Sequence, residues 1–353
     1  MILRHTQCTG KYSHVYYRAK ADNFVRRATS CKLFGIFCEE SDLDDSLYRV
    51  DWIRQLVTLM DDSVESVSTA AWGALDVFVK SVPKDELEPL VVTLRRTIES
   101  TGAPGRTVPG FSLPKGVAPM VPVILAGLTT GSNEQRENAA SAIGELVTRT
   151  SEPAFKPFVV ALTGPLIRVA AQSTAYPPGV KSAILGALAT MVAQIPAHIR
   201  PFFPQLQRTF VKAVSDASSL AVRNRAASAL GVLMRSQTRV DPVVTELIGG
   251  ARGAVDEAIA ASHITALASV VRNAGFNVGE KARESCVELV SDAFRESHDG
   301  ASFQFRLAVQ GGVTYFSSEH YVQAVASLFA SLGQFPDLLK PLVKYVLTPY
   351  TLD

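Results

Sequence analysis

Six histidines, four cysteines, two acidic runs and one glycine cluster are the features of this 353-residue chain that could do chemistry. A metal centre or general base needs them paired at short helical spacing, or set beside one another. His5, His14, His198, His263, His298 and His320 each stand apart from the others. His263 lies beside Ala261 and Ile264 in a helical pattern, so a hydrogen-bonded or surface imidazole is the plainer reading. Cys8, Cys31, Cys38 and Cys286 form no CxxC pair and no zinc spacing. Cys31 and Cys38 are seven apart and share a helix face, which suits packing better than redox pairing. The acidic run from Glu39 to Ser46 and the Asp61-Asp62 pair lack the Asp-x-Asp-x-Asp-Gly order of a calcium loop. They read as a solvated inter-helix turn and a helix N-terminus. The GGARG cluster at Gly249 has no strand before it, as a nucleotide cradle requires. HExxH, GxSxG, P-loop and GxGxxG patterns do not occur. The chain therefore reads as a non-enzyme, with no cofactor, no metal and no small-molecule substrate expected.

Composition narrows the class further. Lys and Arg number 35 against 33 Asp and Glu, a net charge of +2. That is no whole-domain footprint for nucleic acid, although a local basic stripe stays open. Apolar residues make up 47%, enough to offset the entropy of ordering, so the chain is folded rather than disordered. Charged residues are only 19% and mean hydropathy is +0.16, which raises the question of a membrane. The longest uncharged stretch, between Lys181 and Arg200, is interrupted by Gln194, Pro196 and His198. The stretch from Gly116 to Leu128 is broken by Pro119 and Pro122. Both fall short of the ~20 apolar residues of a spanning helix. No signal-like apolar region opens the chain, so reduced thiols, a cytoplasmic location and no membrane are expected.

The elements that must carry these residues follow from a repeat. "EQRENAASAIGELV" from Glu134 and "AVRNRAASALGVLM" from Ala221 align, and "GVKSAILGALATMV" falls between them at the same phase. The phase positions are Lys32, Ala74, Ala142, Ala187, Ala229, Ala266 and Gly312. Small and apolar residues recur at i, i+3, i+4 and i+7, as at Ala226, Ala229, Leu230 and Leu233. Ala or Gly in mid-helix lets a neighbouring helix approach closely. A second helical pattern precedes each one, for example "PFFPQLQRTFVKAV" from Pro201. Two helices per unit of 37–46 residues predict an all-α HEAT-repeat solenoid of about seven units plus a partial one. The expected organisation is a tail over 1–15, two units over 16–99, and an inserted Gly/Pro-rich loop over 100–117. Central units then run over 118–275 and C-terminal units over 276–353. The final unit lacks a polar outer cap, as expected of a piece of a longer array. Phe202, Phe203, Phe210, Phe303, Phe305, Tyr315 and Phe316 read as core between repeats.

Six residues before the phase position stand Arg26, Ser68, Arg136, Lys181, Arg223, Ala260 and Arg306. Five of these seven are basic, and stacked repeats bring equivalent positions onto one face. In one reading each basic residue opens a second helix and pairs with an acidic residue of an inter-helix turn, Asp216 serving Arg223. In the other the ladder meets an acidic partner, using the bidentate guanidinium fork. Arg223 and Arg225 are ~200° apart around a helix, so both cannot serve one ladder. If one pairs internally, the other is left as a candidate hot spot.

Several collinear strings carry a resemblance: "PGFSLPKG" from Pro109, "KPF" from Lys156, "LTGPLIR" from Leu162, "PQLQRTFVKAV" from Pro204, "VRNRAASALG" from Val222 and "RVDPVVTELI" from Arg239. Together they resemble the general-control translational activator family, very large HEAT-repeat proteins. The similarity is strongest from about Tyr16 to Gly275. It implies the segment that binds RWD domains, chiefly that of the general-control kinase of initiation factor 2α, with competing RWD proteins as further partners. It implies ribosome association through the parent protein in the amino-acid starvation response. The family's kinase-binding arginine maps to the Arg223/Arg225 pair, with Arg223 slightly ahead; Lys181 and Arg136 extend the expected partner-binding set. Two alternatives remain: a scaffold contacting ribosomal RNA, and one binding peptides in its concave face.

Overall fold

The computed structural model describes residues 19, 22–40, 46–103, 105–172, 175–295, 305–309, 312–316 and 319–335. Cys8, His5, His14 and His298 lie outside the described residues. So do the tail over 1–15, residues 41–45 of the acidic run, Phe303 and the closing block from residue 338. The chain divides into two compact units, residues 1–200 and 201–353.

The first unit holds α1 (Phe24–Glu40), α2 (Arg49–Leu59), α3 (Glu65–Ser81), α4 (Leu90–Ser100), α5 (Val121–Thr129), α6 (Asn133–Arg149), α7 (Val159–Ala171) and α8 (Pro178–Gln194). Helical hairpins form from α2 with α3, α5 with α6, and α7 with α8. Second helices then stack on second helices: α1 against α3, and α6 against α8. Their shared faces are small. A Cβ built on Gly35 would lie 3.7 Å from the Cα of Ala74, and one on Gly144 the same distance from that of Ala187. The phase alanines Ala74, Ala142 and Ala187 are buried in these seams. Local signals set the boundaries: α6 opens on a capping box in which Gln135 N donates to Ser132 Oγ and Ser132 N donates to Gln135 Oε1.

The Gly/Pro-rich loop is ordered and partly internal. Val108 N donates to the Arg149 carbonyl at 2.8 Å, and Gly110 N to the Met60 carbonyl at 2.8 Å. Val108 and Phe111 are fully buried. Gly110 has no substitute here, because an added Cβ would sit 2.6 Å from that of Met60. Arg149, itself buried, donates Nη2 to the Glu99 carbonyl at 2.8 Å and Nη1 to the Thr101 carbonyl. It thereby fixes the end of α4 where the loop departs.

By length and composition alone, one unbroken helical run among the described residues is apolar enough to cross a bilayer: Glu152–Ala171. It differs from the stretches weighed on sequence. Phe155, Leu162, Thr163 and Leu166 are buried in the unit, and Pro165 stands inside α7, where it removes a backbone bond.

The second unit holds α9 (Phe203–Val214), α10 (Leu220–Met234), α11 (Asp241–Gly253), α12 (Glu257–Ala274), α13 (Glu280–Arg295) and α14 (Glu319–Leu332). Hairpins form from α9 with α10 and α11 with α12; α10 stacks on α12, α12 on α14, and α11 on α13. Phe203 and Phe210 are core residues of α9. One expectation fails here. The segment "FRLAVQGGVTYF" was expected to continue the helical phase at Gly312. It forms instead an antiparallel pair, β1 (Phe305–Val309) and β2 (Gly312–Phe316), with Arg306 opposite Tyr315. Aromatic and β-branched residues either side of a glycine pair favour a hairpin over a helix. Arg306 therefore leaves the ladder of helix-start residues. With this hairpin as the one departure among the described residues, the fold is an all-α HEAT-repeat solenoid.

Candidate docking surface

The N-terminal turns of the second helices carry the basic positions. In the second unit, Ser219 caps α10 by accepting from Val222 N, and Val222, Ala226, Ala229 and Leu230 turn inward. Arg223 shares that inner face. Only 6% of it is exposed. Its Nε donates to Ser262 Oγ on α12 at 2.8 Å, and its Nη1 donates to the Asp216 carbonyl at 2.9 Å. Asp216 Oδ1 meanwhile accepts from Ser218 N at 2.9 Å and closes the turn. Arg223 therefore ties α10 to the turn after α9 and to the next second helix. Its turn partner is a carbonyl, where the sequence suggested the Asp216 carboxylate.

Arg136 repeats the arrangement in the first unit. Its Nη2 donates to the Thr129 carbonyl at the end of α5 at 3.1 Å, again seven residues back. Its guanidinium lies 5.1 Å from the centre of the Tyr176 ring. A second-helix arginine that donates to a carbonyl seven residues back thus recurs, at the last residue of α5 for Arg136 and in the turn just past α9 for Arg223. Lys181 is half-buried at the start of α8 and Arg26 is exposed on α1. Ser68 and Ala260 are buried.

Arg225 points the other way. It and Asn224 are exposed, and Arg225 makes no hydrogen bond or ion pair among the described residues. Beside Asn224 runs a groove of about 280 Å³ between α10, α12 and α14. Its lining includes Leu220, Thr265, His320, Gln323 and Ser327. Arg223 and Asn224 line this groove and Arg225 does not. The exposed Arg225 guanidinium can bind a carboxylate of a folded partner, and the groove offers hydrogen-bonding groups of its own. Which arginine of the pair faces outward is legible in the apolar neighbours that share the inner face with Arg223, Val222 and Ala226.

The groups weighed for chemistry are placed structurally. His263 is buried, with Nε2 2.9 Å from Ser215 Oγ, and burial lowers its pKa from the ordinary 6.5. Gly250 of the GGARG cluster lies inside α11, where an added Cβ would sit 2.4 Å from the His263 ring. Burial pushes the thiols of Cys31 and Cys286 up to about 12. For Cys31 the Asp62 carboxylate adds to the effect. Such thiols are poor nucleophiles. Among the described residues, no three His, Cys, Asp or Glu side chains gather as metal ligands.

Stacked helical hairpins whose polar residues clamp helix ends define a HEAT-repeat scaffold. Residues 12–115 match the family described as "Stalled ribosome sensor GCN1-like, HEAT repeats". The chain is 39% identical over 280 residues to the eIF-2-alpha kinase activator GCN1 of Saccharomyces cerevisiae, covering 79% of this chain and 10% of that protein. It is 34% identical over 302 residues to the stalled ribosome sensor GCN1 of Homo sapiens, covering 85% of this chain and 11% of that protein. It thus spans about a tenth of the length of these relatives. These matches show the family that the collinear strings implied: the chain is a GCN1-like HEAT segment. In fold it is similar to a crystal structure of importin beta, with a TM-score of 0.51 at 13% identity, covering 94% of this chain and 44% of that one.

Proposed function

We propose that this chain is a non-enzymatic, cytoplasmic docking scaffold that binds the RWD domain of the initiation factor 2α kinase and so promotes its activation in the starvation response. Relatives named as a kinase activator and as a stalled-ribosome sensor support the pathway. A ribosome contact belongs to the parent protein, and competing RWD proteins share the surface. The observation that carries the reading is the exposed Arg225 guanidinium, which makes no hydrogen bond or ion pair among the described residues and is the neighbour in sequence of Asn224, a lining residue of the α10/α12/α14 groove. Arg225 is the contact residue and Arg223 its positioning residue, which sets the rotation of α10. Arg136 and Lys181 are secondary contributors, since the Arg136 guanidinium is already engaged with Thr129 and Tyr176.

Calorimetric titration with the purified RWD domain tests this. Arg225→Ala should weaken binding by about 2 kcal/mol, roughly thirtyfold, at unchanged melting temperature. Arg223→Ala should instead cost about 3 kcal/mol of folding stability, because Ser262 and the Asp216 carbonyl lose a buried donor. Wild-type affinity in Arg225→Ala and in the double variant with Lys181→Ala would remove the assignment. Binding to RNA in place of the RWD domain, with steep salt dependence, would favour the ribosomal alternative.

A further inference from the structure

A second surface lies in the first unit, on the stacked second helices α1 and α3. Between them is an open trough of about 870 Å³. That is within the ~300–1,000 Å³ of ligand-binding clefts. Its floor is made of small residues, Gly35 from α1 and Ala70, Gly73 and Ala74 from α3. The seam closes tightly at Gly35 and Ala74 but stays open at Gly73, where an added Cβ would meet no atom within 4 Å. The lining stripe on α3 runs from Glu65 to Val77, about 18 Å at 1.5 Å per residue. That length fits about three turns of a helix laid along the trough.

The walls are apolar. Ile36 is 51% exposed despite its place in the seam. Trp72 is held in position by its indole N–H, which donates to the Lys115 carbonyl of the inserted loop at 3.2 Å. At its ends the trough is acidic. Glu39 sits in the last turn of α1, a helix with no basic residue in that turn, and Glu65 in the first turn of α3. Both carboxylates are exposed, and neither has an ion-pair partner among the described residues. Among the described lining residues, Lys32 is the basic one. A carboxylate at a helix C-terminus is electrostatically unfavourable, and a cation brought to it relieves the cost.

We infer that the α1/α3 trough docks a basic amphipathic helix of a protein partner, its apolar ridge on Gly73, Ile36 and Trp72 and its Lys or Arg side chains on Glu39 and Glu65. The mode is a helix laid in a groove, read through i, i+3, i+4 and i+7 anchors. The surface is separate from the Arg225 region and does not depend on the RWD reading.

A synthetic Leu/Lys amphipathic helix of about 14 residues is the probe, with a Leu/Glu helix of the same pattern as its control. Trp72 is the reporter, because the other tryptophan, Trp52, is 1% exposed and stacked on Phe34. The full chain should bind the Leu/Lys helix saturably with a shift in Trp72 emission, and the Leu/Glu helix about tenfold more weakly. Gly73→Leu puts a side chain into the trough from a position whose Cβ meets no atom within 4 Å, and should abolish binding while the melting temperature is kept or raised. Glu39→Gln with Glu65→Gln should erase the preference for the basic helix. Absence of saturable binding, equal affinity for the two helices, or undiminished binding by folded Gly73→Leu would each overturn the proposal. So would a wild-type dimer that Gly73→Leu converts to monomer, since a second copy would then be the occupant.

Discussion

At the scale of single residues, burial decides role. Arg223 and Arg225 have the same side chain, yet one completes the interior and the other meets solvent. His263 shows the same principle in a titratable group. The neutral imidazole is the form that fits against Gly250 and Ser215, and its pKa is held below the ordinary 6.5 by desolvation. The unfolded chain therefore binds a proton that the folded chain resists. The stabilisation is complete above pH 6.5 and is lost as pH falls from there through the depressed folded pKa. Melting temperature should drop between pH 7 and about 5, and His263→Gln should flatten that slope. An equal slope in the variant would assign the pH dependence to other groups. The imidazole was recognisable in sequence as a helix-face histidine. Its depressed pKa was not, because that depends on how completely neighbouring helices exclude water.

At the scale of elements, the helices were readable and the departures from them less so. Apolar positions at i, i+3, i+4 and i+7 mark α6, α8, α10 and α12 directly, since that spacing puts them on one face. The glycine-proline composition between α4 and α5 identified a loop, but not its packing. That packing rests on contacts with Met60, Trp72 and Arg149, from three other helices or helix ends. Gly110→Val should destabilise the first unit by about 2–3 kcal/mol, measured by denaturant titration, because its Cβ would collide with Met60. An unchanged midpoint would mean that the loop shifts freely. The β1/β2 hairpin breaks the helical repeat phase because the residues of that segment favour strand pairing.

At the scale of the molecule, each repeat contacts mainly its neighbours, so stability is distributed along the array. Both tryptophans, Trp52 and Trp72, belong to the first unit, so their fluorescence reports that unit alone. Circular dichroism reports both units. Arg223→Ala, in the second unit, should lower part of the dichroism transition and leave the tryptophan transition nearly in place. Coincident shifts in both probes would show that the array unfolds as a single cooperative body. The low charge and faint hydrophobicity of the chain make sense on the same scale: each helix of a solenoid is covered on several sides, by its hairpin partner and by the adjacent repeats.

The sequence by itself determined the helical phase, the small-residue seams and the HEAT class, because these rest on periodicities within a few turns of chain. The collinear strings determined the family. Tertiary structure decided what depends on residues far apart in the chain. It turned Arg223 inward through Ser262, 39 residues away, and left Arg225 exposed. It folded the inserted loop into the first unit, and it left a trough open beside Gly73. Periodicity specifies which face of a helix is buried, but not which neighbour covers it or how closely.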